Sequence, residues 1–358
     1  MPAPSPAARY WSLDPGVVFL NHGSFGATPA GVRAAEGAWR DRAEREPVRF
    51  FVEEFEQALA DARALLSPIL GADPGDWAFI ANATAGVNAV ARSLELQPGD
   101  ELVTSTHEYN ACNNALDYAA KRAGTKVVRV AWPFPFSDPQ HLIDLTLGAL
   151  TPRTRFVLLS AVTSPTGFIT PYERLVPAIQ SRGVDVMLDA AHGPGFLDLD
   201  LARLRPAYAT GNFHKWLCAP KGSAFLYVRP DRQDGVVPPV LSHGYNSQRT
   251  DASRFRLNFD FGGTEDLSRY LATPHAAHAV PTIAREIGVG RPWPLGGVAR
   301  ADPPAGARPA PTLRTLWNDV IAHNRALARR GRDILLAALG TAPPVPEHML
   351  GSMAAVLL

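Results

Sequence analysis

Hydrophobic residues along the chain fall into short continuous runs that alternate with segments of helical spacing. Short apolar runs bounded by turns are typical of strands that are buried on both faces. The segments between them are long enough for helices, so the pattern predicts βαβ crossovers and a mostly parallel sheet flanked by helices. The runs are WAFIAN (77–82), ELVTST (101–106), KVVRVAW (126–132), RFVLLSAV (155–162), VDVMLDAA (184–191), AYATGNFHKW (207–216) and SAFLYVRP (223–230).

The segments before and after these alternating strands and helices have a different residue pattern. Residues 30–66 are rich in Ala, Arg, Glu and Leu and predict two helices with a break at Pro47. Residues 290–311 are dense in Pro and Gly without periodicity, which predicts an irregular loop. Helical spacing returns at 316–339, and the apolar run 351–358 is typical of a strand.

Composition and charge exclude several classes of protein. The chain has 358 residues, with 35 Lys and Arg against 34 Asp and Glu, so it lacks the positive surplus of nucleic-acid binders and polybasic membrane proteins. We find neither a secretory signal nor an uncharged run of the ~20 residues that span a bilayer. Two cysteines cannot form a disulfide framework or a zinc cage, and both are interpreted as packing residues. We expect a cytoplasmic protein without a metal site.

Lys215 is the first candidate for chemistry. It follows a predicted strand among small, aromatic and amide residues, and an amine in apolar surroundings loses its charge more readily and attacks carbonyls. The alternative is a surface lysine whose stem lies along the protein. Lys121 and Lys126 fit that alternative, and Lys221 suits a turn.

Two further segments carry polar groups to the same edge of the predicted sheet. Asp189 ends a buried strand, where open α/β sheets bind ligands, and His192 follows on the same rim. Residues 81–89 lead from a strand into a helix whose N-terminal N–H groups suit a phosphate. Asn82 and Thr84 would also serve there as ordinary helix caps. Together, an amine, an acid and a phosphate site match the needs of pyridoxal 5′-phosphate (PLP).

The sequence resembles the class V aminotransferases, the fold-type I PLP enzymes, and most of all their isopenicillin N epimerase-like branch. The resemblance spans most of residues 17–228 and continues in HNRALA (323–328) and GSMAA (351–355). The strings that carry it are FLNHGSFGATP (19–29), EPVRFF (46–51), NATAGVNAVARSL (82–94), THEYNACNNAL (106–116), DAAHGPG (189–195), GNFHKW (211–216) and PKGSAFLYV (220–228).

This resemblance implies a role for each matching residue. Lys215 would form the Schiff base and shuttle the proton, while Asp189 would pair with the pyridine nitrogen. His192 would approach the ring hydroxyl, and Tyr109, rather than His107, would stack on the ring. The remaining contacts would be Thr84, Ala85, Asn212 and His214 at the phosphate, and Asn21 and His22 near the substrate.

The resemblance also implies a homodimer with a shared active site. In this family a Gly-Thr turn of the partner subunit reaches the phosphate. GGTED (262–266) resembles that turn and makes Thr264 the candidate, although FDFGG replaces the tryptophan that usually precedes it. We therefore expect a homodimer that handles a small amino-acid substrate.

A large PLP-binding domain over residues 18–272 and a smaller α+β domain from 1–17 and 273–358 follow from the same resemblance. The family's small domain normally continues to an arginine that grips the substrate carboxylate through two hydrogen bonds. That arginine would lie beyond Leu358, so we expect this domain to be incomplete. Residues 290–311 have no counterpart in the family's continuous helix and indicate either a lineage-specific loop or a reading-frame slip.

The predicted function is a PLP-dependent reaction at the α carbon of an amino acid or its conjugate. Epimerase or racemase chemistry and C–S lyase chemistry are the first expectations. The alternatives are an aminotransferase, a cysteine desulfurase-like enzyme, and a truncated relic that binds PLP without turnover. The residues around Lys215 do not separate these reactions because all share their first steps.

Overall fold

The predicted apolar runs form the strands of one seven-stranded sheet in the computed structural model, which describes residues 5–289 and 312–358. The loop predicted for 290–311 lies outside the described residues. The strands are β1 Trp77–Ile80, β2 Glu101–Ser105, β3 Lys126–Val130, β4 Thr154–Ser160, β5 Asp185–Asp189, β6 Tyr208–Asn212 and β7 Ala224–Val228.

The order of the strands is β1-β7-β6-β5-β4-β2-β3. Pairs on the β6 to β3 side are parallel, whereas β7 is antiparallel to both β6 and β1. This confirms the predicted mostly parallel α/β sheet. Because β2, β4, β5 and β6 run in one direction, the segments that follow them emerge at one edge.

Alternate residues of each central strand pack on opposite faces of the sheet. In β5, Val186 and Leu188 belong to the larger apolar cluster, whereas Met187 belongs to the smaller one. β4 follows the same period, with Val157 on one side and Phe156 on the other. Burial on both faces explains why these strands are continuously apolar in the sequence.

Helices cover both faces. The break predicted at Pro47 is confirmed, since α1 ends at Arg45 and a three-residue helix begins at Pro47, followed by the π-helical turn Phe50–Glu54. The helices are α1 Ala30–Arg45, α2 Pro47–Arg49, α3 Phe55–Leu70, α4 Ala83–Ser93, α5 Asn110–Ala123, α6 Pro139–Gly148, α7 Tyr172–Gln180, α8 Leu201–Leu204, α9 Arg254–Phe259, α10 Ser268–Leu271, α11 Thr273–Glu286 and α12 Leu313–Leu339. Short 3-10 turns lie at Pro6–Tyr10, Pro230–Gly235 and Glu347–Met349.

The C-terminal elements differ in part from expectation. The helix predicted over 316–339 is confirmed as α12, which packs with α11 and α3. The strand predicted for 351–358 is wrong: the segment is irregular, and next to it Leu350 makes only an isolated bridge to Phe168. An apolar run forms a strand only where the backbone of a neighbouring strand can form hydrogen bonds with it. The division into two domains at residue 272 stays a prediction.

In the part of the chain that the structure describes, no helix combines the length and the apolar character that crossing a membrane requires.

Candidate active site

The carboxyl edge of the sheet opens into a cleft of about 630 Å³. It lies where the segments after β1, β2, β4, β5 and β6 meet, as open α/β sheets place their ligand sites. Eight residues predicted from the sequence line it: Asn21, Thr84, Tyr109, Asp189, His192, Asn212, His214 and Lys215. The predicted residues Ala85, His22 and Thr264 do not.

Lys215 lies in the loop between β6 and β7 and is largely enclosed. The N-terminal segment passes against its backbone at Gly26, where a Cβ atom would come 2.2 Å from the Lys215 carbonyl oxygen. Burial lowers the pKa of Lys215, and the nearby Asp189 carboxylate opposes that shift. This favours the neutral amine, the form that attacks carbonyls.

Asp189 ends β5 and is buried at the floor of the cleft. Its Oδ1 accepts a hydrogen bond from the Ala191 N–H at 2.8 Å, and its Oδ2 accepts one from the Cys112 thiol at 3.2 Å. Burial raises the pKa of Asp189, and the backbone hydrogen bond, the thiol and the Lys215 charge oppose that rise. A buried carboxyl with these hydrogen bonds is suited to pair with a cationic group or an N–H donor of a ligand.

The N-terminus of α4 forms the opposite end of the cleft. Asn82 caps the helix, its Oδ1 accepting from the Ala85 N–H at 2.9 Å, and the Asn212 Oδ1 accepts from the Ala83 N–H at 2.8 Å. Gly86 lets α4 lie close to β6, since a Cβ there would come 2.5 Å from the Thr210 hydroxyl. The Ala85 N–H predicted to bind phosphate therefore donates to the cap, while Thr84 faces the cleft.

Two histidines flank Lys215. The Trp216 indole N–H donates to His192 Nδ1 at 3.1 Å, and His192 Nε2 lies 3.4 Å from Lys215 Nζ. His214 Nδ1 donates to the Ser223 carbonyl at 2.8 Å. Burial lowers the pKa of His192 to about 3 and that of His214 to about 4, so both rings are neutral at physiological pH.

The two candidates for stacking on a ring occupy different places. Tyr109 lines the cleft with its side chain about half exposed. His107 is buried instead, with Nδ1 3.0 Å from the Thr166 hydroxyl and Nε2 3.2 Å from the Trp132 carbonyl. The geometry therefore supports the preference for Tyr109, because His107 uses both ring nitrogens in the protein interior.

Two further predicted residues, His22 and Thr264, do not line the cleft. His22 lines a neighbouring apolar cavity of about 570 Å³, and its Nδ1 accepts from the Ala27 N–H at 3.2 Å. Thr264 is exposed in the turn before α10. A role for Thr264 in a partner's site stays a prediction.

Sequence reasoning missed a buried cluster beneath Asp189. The ligand atoms of Glu108, Cys112 and Asp189 all lie within 4.8 Å of one another. Glu108 Oε1 accepts from the Tyr109 N–H and the Ser160 hydroxyl, both at 2.8 Å. Cys112 is buried in the core, as predicted for a packing residue, and its thiol also donates to Asp189. Glu108 lies before the first residue of α5, so helical spacing does not pair it with Cys112, and no local pattern in the sequence reveals the cluster.

Glu108 should make the stability of the protein fall as the pH rises. Burial next to Asp189 raises the pKa of Glu108 to about 8, above its ordinary value of 4.5. The folded chain therefore holds a proton that the unfolded chain loses, and the free energy of unfolding decreases between pH ~5 and pH ~8. Glu108→Gln should reduce that decrease by on the order of a few kcal/mol. Urea unfolding at the two pH values measures it.

Glu101→Gln, at the start of β2, is the matched control. Its carboxyl is hydrogen-bonded to Thr151 and paired with Arg153 and Lys126, which lowers the pKa of Glu101 to about 2. It stays ionised between those pH values in both states, so this variant should keep the wild-type slope. An unchanged slope in Glu108→Gln would show that Glu108 is already ionised in the folded protein.

Comparison with known proteins places the chain in a family. The profile described as aminotransferase class-V matches residues 41–279. Isopenicillin N epimerase from Streptomyces clavuligerus is 36% identical over 274 residues, which cover 74% of this chain and 69% of the epimerase. The chain belongs to the class-V aminotransferase family. The resemblance inferred from its motifs is thereby confirmed.

A second relative and a solved structure extend the comparison. A probable chloroplastic L-cysteine desulfhydrase of Arabidopsis thaliana is 32% identical over 279 residues, covering 73% of this chain and 58% of that protein. A variant of the cystine C–S lyase C-DES, with glycine covalently linked to its PLP cofactor, matches with a TM-score of 0.66 at 23% identity. The match covers 76% of this chain and 73% of that one and confirms the fold.

Proposed function

We propose that this protein is a PLP-dependent enzyme that acts at the α carbon of an amino acid or amino-acid conjugate, by epimerase or C–S lyase chemistry. One observation carries the proposal. A single cleft brings the Lys215 amine, the buried Asp189 carboxyl and the N-terminus of α4 together. Family membership and the names of the relatives, an epimerase and a cysteine desulfhydrase, support the same chemistry.

The residues of the cleft fit PLP in charge and in position. Asp189 would pair with the pyridine nitrogen, for which a buried carboxyl is suited. Thr84 and the N-terminus of α4 would hold the phosphate, because the helix dipole favours an anion there. Tyr109 would cover one face of the ring. When bound, PLP supplies an aldehyde that attaches the amino acid and a ring that accepts electrons from the α carbon.

Protein groups then control one proton. Lys215 would take the proton from the α carbon and hold it at Nζ. Burial lowers the pKa of Lys215 and so favours the neutral amine that this step requires. Asp189, in its ionised form, would hold a proton on the ring nitrogen of bound PLP and so strengthen the withdrawal of electrons from the α carbon. The N-terminal segment packs against the Lys215 backbone at Gly26, where a side chain would not fit.

The branches differ in what happens after this proton has moved. Return of a proton to the α carbon on the other face gives epimerisation. Loss of a sulfur substituent from the β carbon breaks the C–S bond and releases a thiol or persulfide, and the unsaturated amino acid that remains reacts with water to give ammonia and a keto acid. Epimerisation and C–S cleavage both depend on Lys215, Asp189 and the N-terminus of α4, so only the product distinguishes the two reactions.

Spectroscopy on the purified full chain tests the cofactor. We expect added PLP to produce a visible absorbance band, and amino acids from a panel that includes cysteine and cystine to change it. A chain that stays colourless with PLP would contradict the proposal. A band that no amino acid perturbs would favour a PLP-binding relic.

Heavy water separates the two chemistries. An epimerase should introduce deuterium at the α carbon of recovered substrate and invert its configuration, as mass spectrometry and chiral chromatography report. A C–S lyase should release sulfide or a thiol together with ammonia. Formation of a new amino acid from an added keto acid would instead indicate an aminotransferase.

The proposed state is a homodimer whose partner subunit approaches the cleft. Phe25, which lines the cleft, is 79% exposed, and Leu20 in the same N-terminal segment is 83% exposed. Burial of such side chains in a second copy is favourable. Thr264, exposed in its own subunit, would then be available to the partner's phosphate site. Light scattering reports the mass in solution.

A further inference from the structure

Trp216 follows Lys215 directly and turns its indole back toward the cleft floor. Its ring is buried and packs edge-on against Phe196, with 5.2 Å between the ring centroids. Its Nε1 lies 3.1 Å from His192 Nδ1. The side chain therefore does not line the cleft but supports a residue that does.

The chemistry of this contact defines the protonation of His192. An indole N–H only donates, so His192 Nδ1 accepts and carries no hydrogen. Because burial also keeps the ring neutral, its single hydrogen lies on Nε2. That nitrogen lies 3.4 Å from Lys215 Nζ, so the Nε2–H points toward the amine.

We propose that Trp216 is a positioning residue that holds His192 as the Nε2–H tautomer, so that His192 donates to the Lys215 amine and takes no proton itself. This inference rests on the proposed function of Lys215 and deepens it by naming the residues that keep its amine reactive. His192 has one basic nitrogen, and Trp216 occupies it. Lys215 is then the group of this pair that accepts the α proton.

Removal of the indole N–H frees the other tautomer. With its hydrogen on Nδ1, His192 would present Nε2 to Lys215 as an acceptor. An acceptor next to an amine stabilises the ammonium form, which cannot attack an aldehyde. Trp216 would therefore affect the reactivity of the Lys215 amine through His192, although its indole nitrogen does not contact that amine.

Nitrogen NMR on the full chain, with and without PLP, tests the tautomer directly. Ring-labelled histidine gives distinct nitrogen shifts for the protonated and the unprotonated ring position, and His192→Gln identifies the His192 signals by their loss. We expect His192 to be neutral with its hydrogen on Nε2 in both samples. A hydrogen on Nδ1, or on both nitrogens at neutral pH, would overturn the proposal.

Trp216→Phe tests the consequence, because phenylalanine keeps an aromatic ring and lacks the N–H. The measured quantity is the rate at which the absorbance of attached PLP appears, as its aldehyde carbon joins Nζ with loss of water. We expect this rate to fall roughly fivefold to tenfold at neutral pH, about the effect of one buried hydrogen bond. A rate equal to that of wild type would refute the role of Trp216.

Trp317→Phe is the matched control. Trp317 is also buried and donates its indole N–H, to the Ala277 carbonyl at 2.9 Å, but it does not line the cleft. This variant should keep the wild-type rate. The tautomer of His192 can be measured without PLP. A chain that binds no PLP would therefore contradict the proposed function, whereas the NMR result would still test the role of Trp216 independently.

Discussion

Replacing Lys215 with alanine should abolish both the visible band of the PLP-loaded protein and its turnover. The amine is the group in the cleft that can attach the aldehyde and carry the α proton, and burial lowers its pKa, which favours the reactive neutral form. Removal of a group that transfers a proton costs ~10²–10⁴-fold in rate, and loss of the attachment adds to this. We expect kcat to fall at least about 10³-fold, measured by product formation.

Lys221→Ala is the matched control for that result. Lys221 lies in the same loop, and partial burial also lowers its pKa, but it does not line the cleft. This variant should keep the absorbance band and kcat within a small factor. A Lys215→Ala protein that still showed the band would place the attachment elsewhere and overturn the assignment.

Asp189→Asn should reduce kcat on the order of 10²-fold while leaving KM within a few-fold. Asparagine retains an oxygen that can accept from the Ala191 N–H, but it carries no negative charge. The ring nitrogen of bound PLP would then lose the partner that keeps it protonated, and electron withdrawal from the α carbon would weaken. Steady-state kinetics give kcat and KM, and circular dichroism checks the fold.

Asp185→Asn provides the comparison on the same strand. Asp185 begins β5, at the end away from the cleft, and pairs with Arg232 at 2.7 Å on the partly exposed surface. Such a pair contributes little to stability, so we expect wild-type kcat. Equal losses in the two variants would mean that β5 had been disturbed as a whole, and the role assigned to Asp189 would be wrong.

Predictions from the sequence succeeded where chemistry is local. The cap at Asn82 follows from an amide placed before a helical segment, and the structure shows its Oδ1 bonded to the Ala85 N–H. The position of Asp189 follows from an apolar strand that ends in an acid. Each inference needs only the residues of one segment and the period of its structure.

Predictions were weaker where the orientation of a side chain depends on a distant segment. His22 lies next to Asn21, yet its ring faces another cavity, because the Ala27 N–H and neighbouring aromatic rings hold it there. Glu108 was not predicted to be part of the site. It is buried beside Asp189 only because β2, β4 and β5 are neighbours in the sheet. The side chains of adjacent residues in a loop can therefore point into different cavities.

The sequence by itself determined the alternation of strands and helices, the family, and the lysine, acid and helix terminus from which a PLP site was inferred. These follow from apolar period and residue type, which act over a few positions. Only the tertiary structure decided that Glu108 and Cys112 lie beside Asp189, that His22 faces a different cavity, and that Trp216 reaches His192. Hydrogen-bond partners and burial depend on residues far apart in the chain, which packing alone brings together.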